Sequence, residues 1–534
     1  QNALLDRLRT QKDLGPLEFE ATAFLSDKIR RLQSLDLAFG RDDVVRLRVN
    51  GSVGDIIDMQ DLRLVVNVSG HDISNLKPIV GHTIPVKGPY ALSGEVWGHA
   101  PQNIDLRNLE LKLKDNHFKG RAGLNLAGNI PEVDAEIAAD RFSLAPVTLE
   151  VVDLLKKLPE LGPFNLAFKI SEKDGAPALT RLEFRLGSES TIVAVLNGTV
   201  GNLAPIGDIL LDFDLRSPDL SIFNDVVGAI FTKGRPFHAI GRLKDPRLEK
   251  ITATELEVHY GDNDLSGTIG LDIAGDRPSV LAHLSSRKLD LRRALEMLAR
   301  KGEKTRPRVR SDQSQGHVFS RKPLDFKPLN KINVLVTFEG REVLLRNFAF
   351  NDVDIRLKLK QGTLDVDPLK FSIGGGTAEA TFALQSSKTP PFMATSLAVH
   401  QFDIGPMLQQ LGRETALQGT LNTSVYLNGS GNTVAALMAG LNGKVHLDIH
   451  DGRIESQQLI LLERYIGSNV LDAINPFIKR PPHTAIHCLI SSIDIKNGRA
   501  AYKMVLDTEQ TALASAGKID LKTEEIDIGI KPSP

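Results

Sequence analysis

The sequence is poor in cysteine. Cys488 is the single cysteine among 534 residues, which excludes a framework of internal disulfide bonds. The lack of disulfides does not fix the compartment, because many proteins that fold in oxidising surroundings also have none. The stability of this chain must therefore come from the packing and hydrogen bonding of its regular structure.

Aromatic residues and surplus charge are also scarce. Phe, Trp and Tyr make up 5% of the chain, too few for a platform on which bases or sugars stack. The 65 basic residues nearly balance the 66 acidic ones, whereas binding of nucleic acid phosphates needs a positive surplus on one face. We therefore expect no nucleic acid partner.

Long apolar runs are absent as well. The sequence contains no window of about 18 consecutive apolar residues, so it predicts no membrane-spanning helix. The chain opens at Gln1 rather than at an initiator methionine. We expect any signal peptide or membrane anchor to lie upstream of this residue.

The sequence does have alternation of apolar and polar residues with a period of two. Between Asp352 and Leu384, aliphatic residues such as Ile355 alternate with Asp, Arg and Lys, which places the aliphatic side chains on one face of a strand. Gln361-Gly362 predicts a turn. Pro368 breaks the alternation that Leu364 and Val366 resume, and Phe371 is expected to start a third run. The three glycines at 374–376 predict a bulge or a tight bend.

The same alternation returns along most of the chain. Few of these runs are separated by the ten to fifteen helical residues that a parallel crossover needs. The sequence therefore predicts a mainly β fold with short helices, in which repeated antiparallel meanders curl into a long twisted sheet with an apolar groove. We expect a region of repeats at 1–300 (repeats ending near 81, 155, 230 and 299), a basic linker at 301–323 and a C-terminal β region at 324–534.

Short helical segments are expected between groups of strands. Five segments combine an apolar–Asp/Ser–apolar triplet, or a close variant, with a brief amphipathic run, and the Asp or Ser is suited to cap a helix N-terminus; they are 71–81, 141–155, 218–230, 287–299 and 401–412. A longer amphipathic helix is predicted at 457–478. The polar segment 299–323 is interpreted as a solvated loop, with contact of Arg306, Arg308 and Arg310 to anionic lipid headgroups as the alternative.

Motifs that would indicate catalysis are weak. Gly429-Ser430-Gly431 lacks the third glycine of a dinucleotide-binding loop, and no Lys-Ser/Thr follows the glycines at 374–376 as a phosphate loop requires. Neither a G-x-S-x-G nor an H-E-x-x-H motif occurs. The sequence therefore predicts no enzyme and no cofactor.

Two groups of polar residues have the composition of a metal site or an acid–base pair. His483, His487 and Cys488 are residue types that bind zinc, but no second cluster supplies a fourth ligand. Asp212 and Asp214 form a carboxylate pair, yet alternation places both on the outer, solvated face of a strand beside Arg216. We predict no metal site and no acid–base pair.

The aliphatic face of the strands must be covered by something. One interpretation is a stack of β-sandwiches with ordinary cores. The other is an open sheet that shelters acyl chains, which gain about 0.8 kcal/mol per buried CH₂ and need no specific hydrogen bonds. The second interpretation predicts a lipid groove lined by Leu62, Leu64, Val66, Leu109, Leu111, Leu113, Leu211, Phe213, Val334, Val336, Phe338, Val353, Ile355, Leu357 and Leu359.

Four phrases of the C-terminal part resemble the AsmA family. The first, HVFSRKPLDFKPLNKINVLVTFEG (317–340), contains a "VFS…PL" phrase before a strand. It is followed by LKQGTLDVDPLKFSIGGGTAEATFAL (359–384), by LQGTLNTSVYLNGSGNTVAALMAGLNGKVHLDIHDGRIE (417–455) and by the closing hairpins at 488–532. The resemblance covers roughly 317–532, and the N-terminal repeats are similar to a looser version of the same architecture.

The resemblance implies a protein of the Gram-negative envelope, anchored in the inner membrane by an N-terminal helix with its bulk in the periplasm. It implies a bridge-like lipid-transfer structure, with phospholipid acyl chains and the inner and outer membranes as partners, that supports outer-membrane integrity. It carries over no catalytic residues. The alternatives are a scaffold that assists outer-membrane protein assembly by receiving a polypeptide strand, a rigid spacer or adhesin with a dry core, and a hydrolase.

Overall fold

A computed structural model describes residues 15–26, 30–41, 45–76, 86–143, 146, 162–224, 231–245, 249–293, 318–346, 348–410, 417–455, 483–509 and 512–533. The chain divides into two compact units, Gln1–Gly261 and Asp262–Pro534. We call them unit 1 and unit 2 and describe each by itself. The predicted boundaries near 300 and 323 stay a prediction, because most of the segment between them lies outside the described residues.

Unit 1 is a sheet of strands that follow one another in chain order. Each strand from β2 to β13 pairs with the strand before it and the strand after it, and every pairing is antiparallel. The predicted meanders are therefore confirmed. The strands are β1 (Leu17–Leu25), β2 (Arg30–Arg41), β3 (Val45–Asp55), β4 (Gln60–Gly70), β5 (Tyr90–His99), β6 (Asn103–Leu113), β7 (Asn116–Asn125), β8 (Glu132–Ala139), β9 (Phe164–Lys173), β10 (Ala176–Gly187), β11 (Val193–Leu203), β12 (Ile206–Ser217), β13 (Phe237–Asp245) and β14 (Lys250–Tyr260).

Unit 2 has the same plan, and its described residues also include two short α-helices. Its strands also pair in chain order. The elements are β15 (Asn263–Asp272), β16 (Ser279–Asp290), β17 (Asn333–Leu345), β18 (Phe348–Lys360), β19 (Thr363–Ile373), β20 (Gly376–Gln385), β21 (Phe392–Asp403), α1 (Ile404–Gln410), β22 (Leu417–Ser430), α2 (Val434–Ala439), β23 (Asn442–Glu455), β24 (His483–Lys496), β25 (Arg499–Thr508), β26 (Ala512–Asp520) and β27 (Glu525–Ser533).

The antiparallel prediction is wrong at the β16–β17 pair. These strands run parallel, with Ser279 opposite Asn333 and Asp290 opposite Leu344. A parallel pair needs a crossover of a dozen residues or more, and the connection at 291–332 is long enough to provide one. The polar insertion in the sequence is therefore the crossover that returns the chain to the starting end of β16.

The described end of this crossover, residues 318–332, lies along the hairpin ends of unit 2. We call it the rim segment. The backbone N–H groups of Val318 and Phe319 donate to the Glu524 carboxylate in the β26–β27 turn, at 2.6 and 2.9 Å. Pro323 forms a β-bridge with Thr433, just before α2. The "VFS…PL" phrase thus belongs to a segment that contacts the β26–β27 turn and the residue before α2.

Bulges interrupt the regular pairing inside several strands. Asn108 in β6 and Asp352 in β18 have φ values of 49° and 50°, a left-handed conformation that Asn and Asp tolerate better than most residues. The predicted break in alternation at Pro368 is confirmed, but the separate run predicted from Phe371 is wrong, because β19 continues through Pro368. The register instead shifts between Val366 and Leu369, and a bulge accepts proline since it leaves a donor unpaired.

The capped helical segments are confirmed where the structure describes them. Asp72, Asp219 and Asp403 each accept the backbone N–H two residues on, at 2.8 to 3.0 Å, at the start of the 3₁₀ turns 73–76 and 220–223 and of α1. In 287–299, β16 extends to Asp290, whose carboxylate accepts the backbone N–H of Arg292 at 3.1 Å, and the described residues Arg292 and Arg293 are helical. Most of 141–155, the helix at 457–478 and the arginines at 306–310 lie outside the described residues.

Buried side chains are concentrated toward the strand ends rather than at strand centres. In unit 1, Val53 and Leu62 are each 4% exposed and face each other near the β3–β4 turn. In unit 2, small clusters form around Phe402 and around Ile486. The alternative of stacked sandwiches is wrong, because the strands of each unit follow one another in a single sheet. The mainly β fold with short helices is confirmed.

Candidate functional site

Cross-strand register aligns the apolar residues of unit 1 into continuous rows. Directly opposed residues share a face of the sheet, so a row can be followed from strand to strand. We call this side the apolar face of unit 1. A central row from β2 to β14 contains only aliphatic, aromatic or glycine residues: Leu35, Gly51, Leu64, Val96, Leu106, Ala122, Ala135, Phe168, Leu182, Gly198, Leu211, Leu243 and Ala253.

Unit 2 has an equivalent face, which we call the apolar face of unit 2. Its central row from β15 to β27 includes one polar residue, Thr395. The row consists of Ile269, Ala282, Val336, Leu357, Val366, Phe382, Thr395, Leu427, Gly443, Ile495, Ala500, Ile519 and Ile526. At about 4.8 Å between neighbouring strands, each such row runs for more than about 50 Å along its sheet.

Every residue predicted to line the groove lies on one of these two faces. The eight from Leu62 to Phe213 share the apolar face of unit 1, and the seven from Val334 to Leu359 share that of unit 2. Leu62, Leu113, Val353 and Leu359 are buried, whereas the remaining eleven are half-buried. The centre of each face is therefore partly open, but whether lipid occupies it stays a prediction.

Glycines form part of the floor of both faces, and the aliphatic pattern alone did not single them out. Gly51 and Gly198 have φ values of +152° and +154°, and a Cβ on either would lie 2.0 Å from a carbonyl oxygen of the next strand. Gly267 and Gly443 in unit 2 are equally close to such an oxygen, at 1.9 and 1.8 Å. Only glycine fits this approach, which leaves bare backbone between the aliphatic side chains.

The apolar faces continue to the outermost described strands. Leu17 and Phe19 on β1 are 64% and 62% exposed, and Ile526 on β27 is 68% exposed. Leu17 is opposite Phe39, and Ile526 ends the central row of unit 2. Large apolar side chains at an exposed edge are unusual unless another molecule or segment covers them.

The opposite face of each sheet is charged. Arg121 forms two hydrogen bonds of 2.9 Å with Glu136 on the neighbouring strand, which lower the pKa of that carboxyl. As predicted, Asp212 and Asp214 lie on this face, where they pair with Arg242 and Arg216. The charges neutralise each other across strands, a typical arrangement of a solvated sheet surface.

A concavity of about 1380 Å³ lies on this charged face of unit 1, over β6 to β11. Polar side chains dominate its lining, including Lys119, Arg121, Glu136 and Arg181. The ion pairs within it, such as Arg181 with Asp134 at 2.6 Å, leave no surplus of one sign. The sequence predicted concavity on the apolar side alone, so this hollow was missed.

The chain is similar in sequence to proteins of one known family. The AsmA family model matches residues 25–504. The chain belongs to the AsmA family. It is 26% identical over 381 residues to the AsmA family protein YhjG of Escherichia coli K12, a match that covers 67% of this chain and 54% of that protein. The chain thus spans about half the length of this relative. No solved structure matches it.

Family membership and the long β-sheets fit a role in the cell envelope or in lipid transfer. The AsmA family is not a known enzyme family. Among the described residues, no helix has the length and hydropathy that crossing a bilayer requires. Within the same residues no three His, Cys, Asp or Glu side chains come together as a metal site would need; His487 instead contacts Asp507 at 3.3 Å.

Proposed function

We propose that this protein binds phospholipids by their acyl chains along its two apolar faces and moves them between the inner and outer membranes, supporting outer-membrane integrity without catalysing a reaction. One observation carries the proposal. In each unit an almost unbroken row of apolar residues crosses the sheet and remains half-buried at its centre.

Acyl chains match this surface better than a polar ligand does. A saturated chain gains about 0.8 kcal/mol for each CH₂ removed from water, and the central rows offer apolar contact at every strand except β21, where Thr395 lies. The two central rows contain no charged residue. A lipid headgroup therefore remains at the wet margin, and selection among headgroups is weak.

We place the protein in the periplasm of a Gram-negative cell, held at the inner membrane by an N-terminal helix. Support comes from family membership, since AsmA family proteins belong to the cell envelope. Fractionation of cells that express the full-length protein tests this location. Recovery of the protein in the cytoplasmic fraction would rule it out.

A photocrosslinker placed at single positions tests the lipid site. Leu357 on β18 faces the apolar side, and its neighbour Lys358 faces the charged side. A crosslinker at Leu357 should capture phospholipid and one at Lys358 should not. Equal capture at both positions, or none at Leu357, would contradict the proposal.

The substitution Leu357→Asp provides the matching loss of function. A carboxylate at this half-buried position makes the centre of the face unfavourable for acyl chains, because an unpaired charge is costly next to hydrocarbon. Co-purifying phospholipid should fall while circular dichroism remains that of a folded β protein. Lys358→Asp is the matched control and should leave the amount of lipid unchanged.

The second candidate function is a scaffold for outer-membrane protein assembly. It is favoured by the β27 edge, which pairs with β26 alone among the described strands and carries the exposed Ile526, Ile528 and Ile530. Such an edge can receive an extended polypeptide by strand addition. Mass spectrometry of the purified protein separates the two functions, since bound phospholipid supports transfer and a stoichiometric protein supports scaffolding.

A further inference from the structure

The apolar face of unit 2 carries a tyrosine hydroxyl whose hydrogen bond goes to sulfur. Tyr502 on β25 lies on this face, opposite Ile493 on β24 and Gly517 on β26. Its Oη donates to Sδ of Met504 on the same strand, at 3.0 Å. A thioether is a weak acceptor, so this donor keeps much of its capacity for a stronger partner.

Three other hydroxyls of the same face donate to oxygen. Thr395 Oγ1 donates to a backbone carbonyl of β20 at 2.9 Å, and Thr423 Oγ1 to one of β23 at 2.7 Å. Ser515 Oγ donates to a carbonyl of β27 at 3.1 Å. These three hydroxyls are bonded within their own sheet, whereas Tyr502 holds its donor against a soft, movable side chain.

Met504 is opposite a serine on each neighbouring strand, Ser491 and Ser515. Ser491 on β24 is opposite Met504, and its hydroxyl makes no hydrogen bond within the described part of the chain. Aliphatic residues such as Ile493 and Leu506 flank the hydroxyls of Tyr502 and Ser491 on the same face. Tyr502 and Met504 are half-buried, so a bound molecule can reach both.

We infer that Tyr502 is a specificity-determining residue that recognises the ester linkage of an acylated lipid. The inference rests on the proposed function and adds a polar contact to it. The ester carbonyl lies at the glycerol end of each acyl chain. It therefore reaches the apolar face whenever this end of the chain binds there. Tyr502 Oη would leave Met504 Sδ and donate to this carbonyl, a stronger acceptor in a weakly solvated setting.

The consequence is a preference for ester-linked over ether-linked chains. A dialkyl ether lipid has the same hydrocarbon and headgroup as its diacyl counterpart but lacks the carbonyl oxygens. One hydrogen bond of this kind changes affinity by about two- to tenfold. The acyl chains still supply most of the binding, so the ether lipid binds less tightly rather than not at all.

The test is a competition between vesicles of diacyl and dialkyl phosphatidylcholine of equal chain length, presented to the whole 534-residue chain. The wild-type protein should extract the diacyl lipid about two- to tenfold more readily. Tyr502→Phe keeps the ring beside Gly517 and removes only the hydroxyl. It should retain lipid binding and lose the preference.

Two further variants control the experiment. Met504→Leu removes the sulfur acceptor of the Tyr502 hydroxyl. The preference for the diacyl lipid should stay the same or increase, because the hydroxyl no longer gives up a hydrogen bond when it donates to the ester. Tyr426 lies on the opposite, charged face beside Lys444, and this residue is 66% exposed. Tyr426→Phe removes its hydroxyl. This variant should behave as wild type.

The outcomes separate this inference from the proposed function. Extraction of both lipids without preference by the wild-type protein, or a preference that survives Tyr502→Phe, overturns the role of Tyr502 and leaves lipid binding standing. Failure to extract either lipid overturns both proposals. Co-purification of a polypeptide in place of lipid has the same effect and favours the scaffold.

Discussion

Neighbouring residues of these strands meet opposite environments. Leu64 belongs to the central row of unit 1, whereas Val65 lies on the charged face and is 46% exposed. The same rule separates Leu357 from Lys358 in unit 2. Because the side-chain period of a strand is two, one substitution can alter the apolar face without touching the charged face.

Asp264 is the residue whose chemistry depends most clearly on its surroundings. Burial by itself would raise the pKa of this carboxyl, but the Arg287 side chain, the backbone N–H groups of Lys288 and Arg287, and the Ser286 hydroxyl donate to it and lower its pKa to about 2. These contacts, at 2.8 to 3.1 Å, join β15 to β16.

The lowered pKa predicts acid sensitivity at this junction. A carboxyl with a depressed folded pKa stabilises the fold fully above its unfolded value of about 3.8, and this stabilisation is lost as pH falls toward about 2. Asp264→Asn should reduce the free energy of unfolding at neutral pH by about 1 kcal/mol, since solvent screens the largely exposed Arg287. Urea unfolding at several pH values measures this difference.

The difference between wild type and Asp264→Asn should shrink between about pH 4 and pH 2, because the wild-type carboxyl becomes neutral there. Asp276→Asn, in the exposed β15–β16 turn, is the control and should leave the unfolding free energy nearly unchanged. A constant difference at every pH would show that the charge of Asp264 is not what stabilises the junction.

At the scale of single elements, the strands depend on glycine where their backbones meet most closely. Gly198→Ala places a Cβ 2.0 Å from the carbonyl oxygen of Leu210 and at a φ of +154°. Relief of this clash requires a shift of β11 or β12, and we expect a loss of about 1–3 kcal/mol in the free energy of unfolding. Thermal or chemical denaturation measures it.

Gly123→Ala on β7 is the matched control for this prediction. A Cβ at Gly123 meets nothing within 4 Å, so the variant should be as stable as wild type or slightly more so. If both variants unfold alike, the close approach at Gly198 does not constrain the sheet.

The rim segment is a second element with a testable contact. Glu524→Ala removes the acceptor for the backbone N–H groups of Val318 and Phe319. Amide hydrogen exchange at these two residues should therefore accelerate, while exchange in β24 and β25 remains slow. Glu525→Ala, which removes an acceptor of Thr523 Oγ1, should not change exchange at 318 and 319.

At the scale of the whole molecule, each sheet has one apolar face and one charged face, and this difference decides which ligands each face suits. The formal net charge is −1, and the charges pair across strands on the face that carries them. Long-range attraction of one headgroup type is therefore weak. Under the proposed function, binding energy comes from hydrocarbon contact, which phospholipids of every headgroup share.

We therefore expect the bound lipid to have nearly the same headgroup composition as the membrane it came from. Phospholipid extracted from the purified protein should have headgroup proportions within about twofold of those of the membrane it came from, since one tenfold difference requires about 1.4 kcal/mol of selective contact. Lipid mass spectrometry gives both compositions. Strong enrichment of a single headgroup would point to a charged recognition site that the central rows do not contain.

Much of the architecture could be predicted from local pattern. Alternation identified the strands and the face of residues such as Leu111 and Ile355, because pleating sends successive side chains to opposite sides. The Asp caps of the short helices were also readable, since each cap bonds within two or three residues. The candidate lipid-lining residues lie on the apolar faces for the same reason, and their contact with lipid stays a prediction.

Other features were beyond local pattern. The parallel β16–β17 pair depends on where the crossover returns, and the bulge at Pro368 depends on register with β18 and β20. The sulfur-bonded hydroxyl of Tyr502 is set by its rotamer on the folded strand. The parallel pair and the Tyr502 contact leave no signature in the neighbouring residues, and the bulge leaves only the break in alternation at Pro368.

The sequence by itself determined that this protein is built from amphipathic strands with one aliphatic side, because that information repeats every two residues. Tertiary structure alone decided that successive strands line up their aliphatic residues into rows, with Gly51 and Gly198 in the same row. Register is a relation between distant segments, fixed by turns, bulges and close backbone contacts, and its energy exists only once the strands are side by side.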